Sequence, residues 1–153
     1  MQTFVLALHN ILRWAVLLFG LFTVLNAVSG IVKKRIFTES DNKSNLLFMI
    51  CCDIQLLLGL VLYFGGEWFN NMKRFGEIKS DAALRFFSLE HAAMMLLAWV
   101  LVHVGRTAVK KAPTDAAKHK RMLLFFGIAF VLILASIPWP FREAIARPWV
   151  RGF

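Results

Sequence analysis

Six ionisable side chains lie inside apolar stretches of this 153-residue sequence: His9, Arg13, Asp53, Glu90, His91 and His103. An ionisable group held in lipid is costly, so such residues face the interior of a helix bundle and often mark a site. A helix turns ~100° per residue, so positions 3, 4, 7 and 11 apart share a face. On that spacing His9, Arg13, Val16, Gly20, Thr23 and Ala27 form one stripe. Ser88, His91, Met95, Ala98, Val102 and Gly105 form a second, and Cys52, Gln55, Gly59, Tyr63 and Gly66 a third. Each stripe mixes small and polar residues, and the opposite faces are Leu, Phe and Val. Small residues admit a close helix neighbour or a flat ligand.

His9 and His91 fall at similar depth if their helices enter the bilayer from the same side. Two facing histidines at one depth in a bundle core can clamp a b-type haem through its axial positions, with the metal held by His9 and His91. The other clamps are His91 alone, or His9 with the sulfur of Met95. Arg13 lies one turn deeper than His9 and needs a counter-charge. Glu90 is the first choice and a haem propionate the second, which places Arg13 with the cofactor residues. His103 is twelve positions after His91, a rotation of ~120° that takes it off that face. A second haem would need His103 with His119, but the KHKR surroundings of His119 read as a solvated loop. Asp53 is protonated, paired or facing water; with Gln55 it fits a proton path or a quinone pocket, or a plain interhelical hydrogen bond. No hydrolytic triad, H-E-x-x-H motif or phosphate loop occurs.

The elements that must position these groups follow from hydropathy. The chain is 59% hydrophobic, with a mean hydropathy of +0.64, too apolar for an ordinary soluble domain. Spanning helices of ~20 apolar residues are predicted at 4–32, 46–65, 84–106 and 122–137. They use up most of the chain, so residues 1–153 read as one all-α, four-helix transmembrane domain. The segment TESDNKSN reads as a short polar loop, 66–83 as a loop with a short surface helix, and the tail from Pro138 as an amphipathic surface segment. The N-terminus lacks a basic region before its apolar run and reads as a retained helix.

The net charge of +9 sits at helix ends and in short loops, where the positive-inside effect and anionic lipid explain it. There is no basic stripe with interleaved aromatics on a soluble face, which argues against nucleic acid. Lys33, Lys34 and Arg35 end the first helix abruptly. The two loops assigned to the cytoplasm hold ten Lys and Arg against seven in the outer segments. Both termini are therefore expected on the periplasmic side of a cell inner membrane. Cys51 and Cys52 are adjacent and read as small buried thiols, without a C-x-x-C or C-x-x-C-H pattern.

The strings LRW, DNK, QLLLGLVLYF, RFFSLEH, HKR and IPWPFR span most of the chain. Together they resemble a group of small four-helix membrane proteins of Bacteroidetes-type bacteria, often labelled cytochrome b-like. The resemblance transfers no ligand assignment, so the haem ligands rest on depth and face. The expectation is a membrane-bound electron carrier with one haem b between the first and third spanning helices, more a carrier or subunit than a stand-alone enzyme. Its partners would be the lipid bilayer, a quinol or respiratory redox protein, and further copies or subunits. The alternative is a cofactor-free accessory subunit of a larger membrane complex. A small carrier or proton-linked channel using Asp53, Glu90 and Arg13 is least favoured, because inverted repeats and broken helices are missing.

Overall fold

A computed structural model describes residues 2–150. Seven helices follow in order: α1 Gln2–Val32, α2 Glu39–Gly65, α3 Trp68–Lys73, α4 Phe75–Ile78, α5 Ala82–Arg85, α6 His91–Lys110 and α7 Asp115–Ser136. A single π-helical turn, Phe86–Glu90, joins α5 to α6, so Ala82–Lys110 is one continuous rod. Four rods are long and apolar enough to cross a membrane: α1, α2, Ala82–Lys110 and α7. The protein is an all-α, multi-pass membrane bundle. Short α3 and α4 cover the end of the bundle where α1 begins; the opposite end carries Lys33, Arg35, Lys110 and Lys111 and is called the basic end below.

Within the bundle α1 packs on α2 and α7, and α6 packs on α7 and α2. Helices α1 and α6 therefore stand diagonally across the core, and α2–α6 is the loosest of the four seams. Buried residues on α1 recur as Asn10, Arg13, Val16, Gly20, Thr23, Ala27 and Gly30, so the predicted stripe holds from Arg13 onward. Ala98, Val102, Gly105 and Val109 of α6 meet Met122, Phe126, Ala129 and Ile133 of α7 in the same core. Leu18, Leu25, Leu57, Phe64, Leu124 and Val131 point outward, where lipid replaces water as their solvent. Lipid tails are as apolar as leucine, so packing drives helix association here. Gly105 shows how close that packing is: a Cβ there would lie 2.5 Å from Phe125 Cβ.

Two boundaries differ from expectation, both at the basic end. Helix α2 starts at Glu39, so most of TESDNKSN is helix. Thr38 caps it: its Oγ1 accepts from the Asp41 amide, and Asp41 Oδ2 accepts from the Thr38 amide at 2.8 Å, a reciprocal capping box. Asp41, Ser44 and Asn45 are buried. The cause is Arg35, which donates to both Asp41 carboxylate oxygens at 2.6 and 2.7 Å and to Asn26 O at 3.1 Å. That double hydrogen bond holds the Arg35 guanidinium above its ordinary pKa. Arg106 of α6 donates to Asn42 Oδ1 at 2.7 Å and to Asn45 Oδ1.

Helix α7 likewise begins seven residues before the predicted start, capped by Thr114, which accepts from the Ala117 amide at 3.2 Å. His119 is therefore helical and fully buried, not a solvated loop residue. Its ring lies against Gly30, where any Cβ would collide with it, and beside the Phe37 ring at 5.2 Å. At the other end Pro138 stops α7 and leaves its last carbonyls without helical partners. Trp139 Nε1 donates to Leu134 O at 2.9 Å and Arg142 to Ala135 O at 2.7 Å. The tail from Pro138 onward holds no helix among the described residues but folds back, with Trp149 stacked on Trp14. Cys51 and Cys52 are free and buried.

Candidate cofactor site

The π-turn sets the third rod's inward face. The His91 amide donates to Phe86 O, five residues back, a geometry that widens one turn and is frequent at functional sites. Within this turn the Ser88 carbonyl accepts from the Tyr63 hydroxyl at 2.8 Å. His91 leaves this turn pointing across the bundle. Its Nδ1 lies 2.8 Å from Ser136 O, one of the carbonyls left free where α7 ends. A carbonyl only accepts, so Nδ1 carries the proton and the neutral ring presents its lone pair at Nε2. This is the arrangement by which a second hydrogen bond orients a metal-binding histidine.

His9 comes from the diagonal helix and meets His91. The ring centres are 6.5 Å apart and the planes cross at 68°. Gln55 of α2 donates to the His9 carbonyl at 2.9 Å and fixes the backbone there. Gly59 supplies the space beside the ring: a Cβ would lie 3.4 Å from His9 Cε1. The rings of Phe86 and Phe87 flank His91, with centres at 5.7 and 6.3 Å. Met95 lies one turn further along α6, partly buried against the core. Four buried polar atoms in this part of the bundle have no hydrogen-bond partner: His9 Nδ1, Gln55 Oε1, Arg13 Nε and Ser88 Oγ. Native proteins rarely leave such atoms unpaired.

Arg13 is buried one turn below His9, but Glu90 is not its mate. Glu90 is half-exposed and accepts from Arg85 Nε at 2.6 Å. The wider turn at Phe86–Glu90 brings residues five apart over one another, which pairs 85 with 90 and swings Glu90 off the inward face. Arg13 instead donates to Trp149 O at 2.5 Å, and among the described residues it forms no ion pair.

The remaining polar residues fall elsewhere. Asp53 and Gln55 do not work together: Gln55 belongs to the His9 end, whereas Asp53 Oδ1 accepts from His103 Nε2 and Trp99 Nε1 of α6, each at 2.7 Å. His103 and His119 have separate surroundings, Asp53 and Trp99 for one and Gly30 and Phe37 for the other. The Asp53–His103–Trp99 cluster is the arrangement that helix faces alone did not show. Its only sequence signal is that two costly residues lie on antiparallel helices.

Among the described residues no three His, Cys, Asp or Glu side chains gather as a metal site. Two histidines are too few for a bare zinc ion, which takes three or four protein ligands. They suit a metal that arrives with its own equatorial ligands, as haem iron does. Two imidazoles on opposite sides of one metal atom, with nitrogens ~2 Å from it and ~1.1 Å from their ring centres, place those centres roughly 6 Å apart. The observed separation fits that pattern. Comparison with family models, with curated proteins and with solved structures returned no match to this chain.

Proposed function

We propose that this chain is a b-type cytochrome-like electron carrier of the bacterial inner membrane that holds one haem b between α1 and α6. The observation that carries the reading is the meeting of His9 and His91 from diagonal helices, with ring centres 6.5 Å apart. His9 and His91 would hold the haem iron. Gly59, Phe86, Phe87 and Met95 neighbour them, and Arg13, which has no carboxylate partner among the described residues, is the cation available to a propionate. Haem supplies a one-electron couple, and its potential is set by axial ligands, burial and hydrogen bonding around it. The chain's own part is to orient His91 through Ser136 O, to hold His9 through Gln55, and to keep water out with the aromatic rings. The resemblance to cytochrome b-like proteins points the same way, with a quinol or respiratory protein as redox partner and the termini on the periplasmic side.

The test is a reduced-minus-oxidised absorption spectrum of protein purified from haem-replete cells. A bis-histidine spectrum is expected, lost in both His9→Ala and His91→Ala and kept in His103→Ala. A flat wild-type spectrum would leave the rival reading, a cofactor-free subunit whose His91–Ser136 bond merely ties α6 to α7.

A further inference from the structure

The second polar cluster lies across the loosest seam of the bundle. Asp53 on α2 receives two hydrogen bonds at one carboxylate oxygen, Oδ1, from Trp99 and His103 of α6. Oδ2 takes neither. The cluster is not sealed: the Asp53 and His103 side chains are 36% and 37% exposed. Their neighbours Val100 and Val104 face outward, so the exposure is toward lipid. Beside the cluster His103, Val104, Thr107 and Ala108 line a shallow, open hollow of about 420 Å³ on the outer face of α6. Seven residues separate His103 from Lys110 at the helix end, which puts the cluster ~10 Å below the basic surface.

Exposed hydrogen-bonding groups at that depth are costly unless something polar covers them. Water does not serve in the hydrocarbon region. Lipid phosphates stay with the basic residues above, and an anion would be repelled by the carboxylate. The occupant must dissolve in the bilayer, be flat enough to enter between two helices, and carry a hydroxyl or carbonyl. The Trp99 indole, with its ring centre 4.4 Å from that of His103, adds an aromatic wall beside the hollow.

We propose that Asp53, His103 and Trp99 form a binding site for the head of a lipid-soluble para-quinone or its hydroquinone, entering from the bilayer between α2 and α6. A hydroquinone hydroxyl donates to the free carboxylate oxygen of Asp53; a quinone carbonyl accepts from His103 Nδ1 when the ring carries a proton on both nitrogens, Nε2 donating to Asp53 and Nδ1 to the quinone. Binding stands on this cluster alone; a part in electron transfer rests on the haem reading above.

The test is a titration of the full-length protein in phosphatidylcholine nanodiscs with decyl-substituted benzoquinone, followed by tryptophan fluorescence. Saturable quenching is expected. Asp53→Asn and His103→Gln should each weaken it about tenfold, the worth of one hydrogen bond in a low-dielectric site. Trp99→Phe should keep binding, read by competition, while losing most of the quench. Thr107→Trp fills the hollow beside His103 and should also abolish saturation, with an unchanged thermal midpoint in each variant showing that the fold is intact. Linear, partition-like quenching that is the same in wild type and Asp53→Asn overturns the proposal. So does a loss of dimers in Asp53→Asn with no saturable quinone binding in wild type, which would assign the exposed pair to a second copy of the chain. Saturable binding with a flat haem spectrum refutes only the haem reading; the converse refutes only this one.

Discussion

At the basic end of the bundle the buried carboxylate of Asp41 takes two bonds from Arg35, and Arg106 is held by two asparagines. At the opposite end the buried guanidinium of Arg13 has a single backbone carbonyl, and the histidine pair nearby is bordered by unpaired polar atoms. Both ends bury charge in a membrane protein. One, the closed end, pairs its charged groups within its own chain and ties α1, α2 and α6 together, although Arg106 Nε and both ring nitrogens of the neighbouring His119 have no partner. The other holds its buried cation on a backbone carbonyl and, among the described residues, on no carboxylate. A paired charge is what stability requires, because a buried charge that loses its partner is strongly destabilising. Buried polar atoms without partners cost stability at either end.

Breaking the closed end should give the largest effect on folding. Asp41→Ala removes the charge-assisted bonds to Arg35, about 1.5–3 kcal/mol, and with them the reciprocal cap of α2, about 1 kcal/mol more. The loss is read as a lowered thermal midpoint in detergent, with the absorption spectrum of any surviving folded protein unchanged. Gly30→Val forces a side chain into the His119 ring and should cost about 1–3 kcal/mol by overpacking, seen in the same melt. Arg13→Gln separates the two ends most directly. Loss of the charge-assisted bond to Trp149 O should cost about 1.5–3 kcal/mol of apoprotein stability. Haem retention, measured as the haem-to-protein ratio after detergent washing, should fall further than the melt alone accounts for. Equal losses in both would make Arg13 a structural residue like Asp41. Glu90→Gln should be the mildest, below about 1 kcal/mol, because its partner Arg85 is half-exposed like itself. A severe effect there would mean that Glu90 reaches Arg13 after all.

The four rods, the bundle and the inward stripes were legible because hydropathy and the ~3.6-residue period of a helix are properties of short windows. The meeting of His9 and His91 was legible for a related reason: parallel helices entering from one side keep depth in register with residue count. What stayed hidden depends on a partner from elsewhere in the chain. TESDNKSN looks like a loop until Arg35 is placed against Asp41, after which Asp41, Ser44 and Asn45 are core. His119 looks solvated among Lys118, Lys120 and Arg121 until Gly30 opens a slot for it. Glu90 looked like the mate of Arg13 because a regular helix was assumed; one π-turn, with no sequence signature of its own, moved it to Arg85. Asp53 and His103 were each recognised as costly, but no spacing rule links residues on antiparallel helices.

The hydrogen bond from His91 to Ser136 also bears on the order of assembly. Ser136 O is free to accept because the last spanning helix ends there and Pro140, four residues on, has no N–H to give it. The carbonyl that aims His91 thus belongs to the last of the four rods to be synthesised and inserted. His9 and His91 can lie in one membrane before that, but His91 lacks its aim until the final helix has docked. A ligand held by both rings would meet an aimed His91 only in a bundle already complete. A chain cut before Ser136 would keep both histidines and still lack the site.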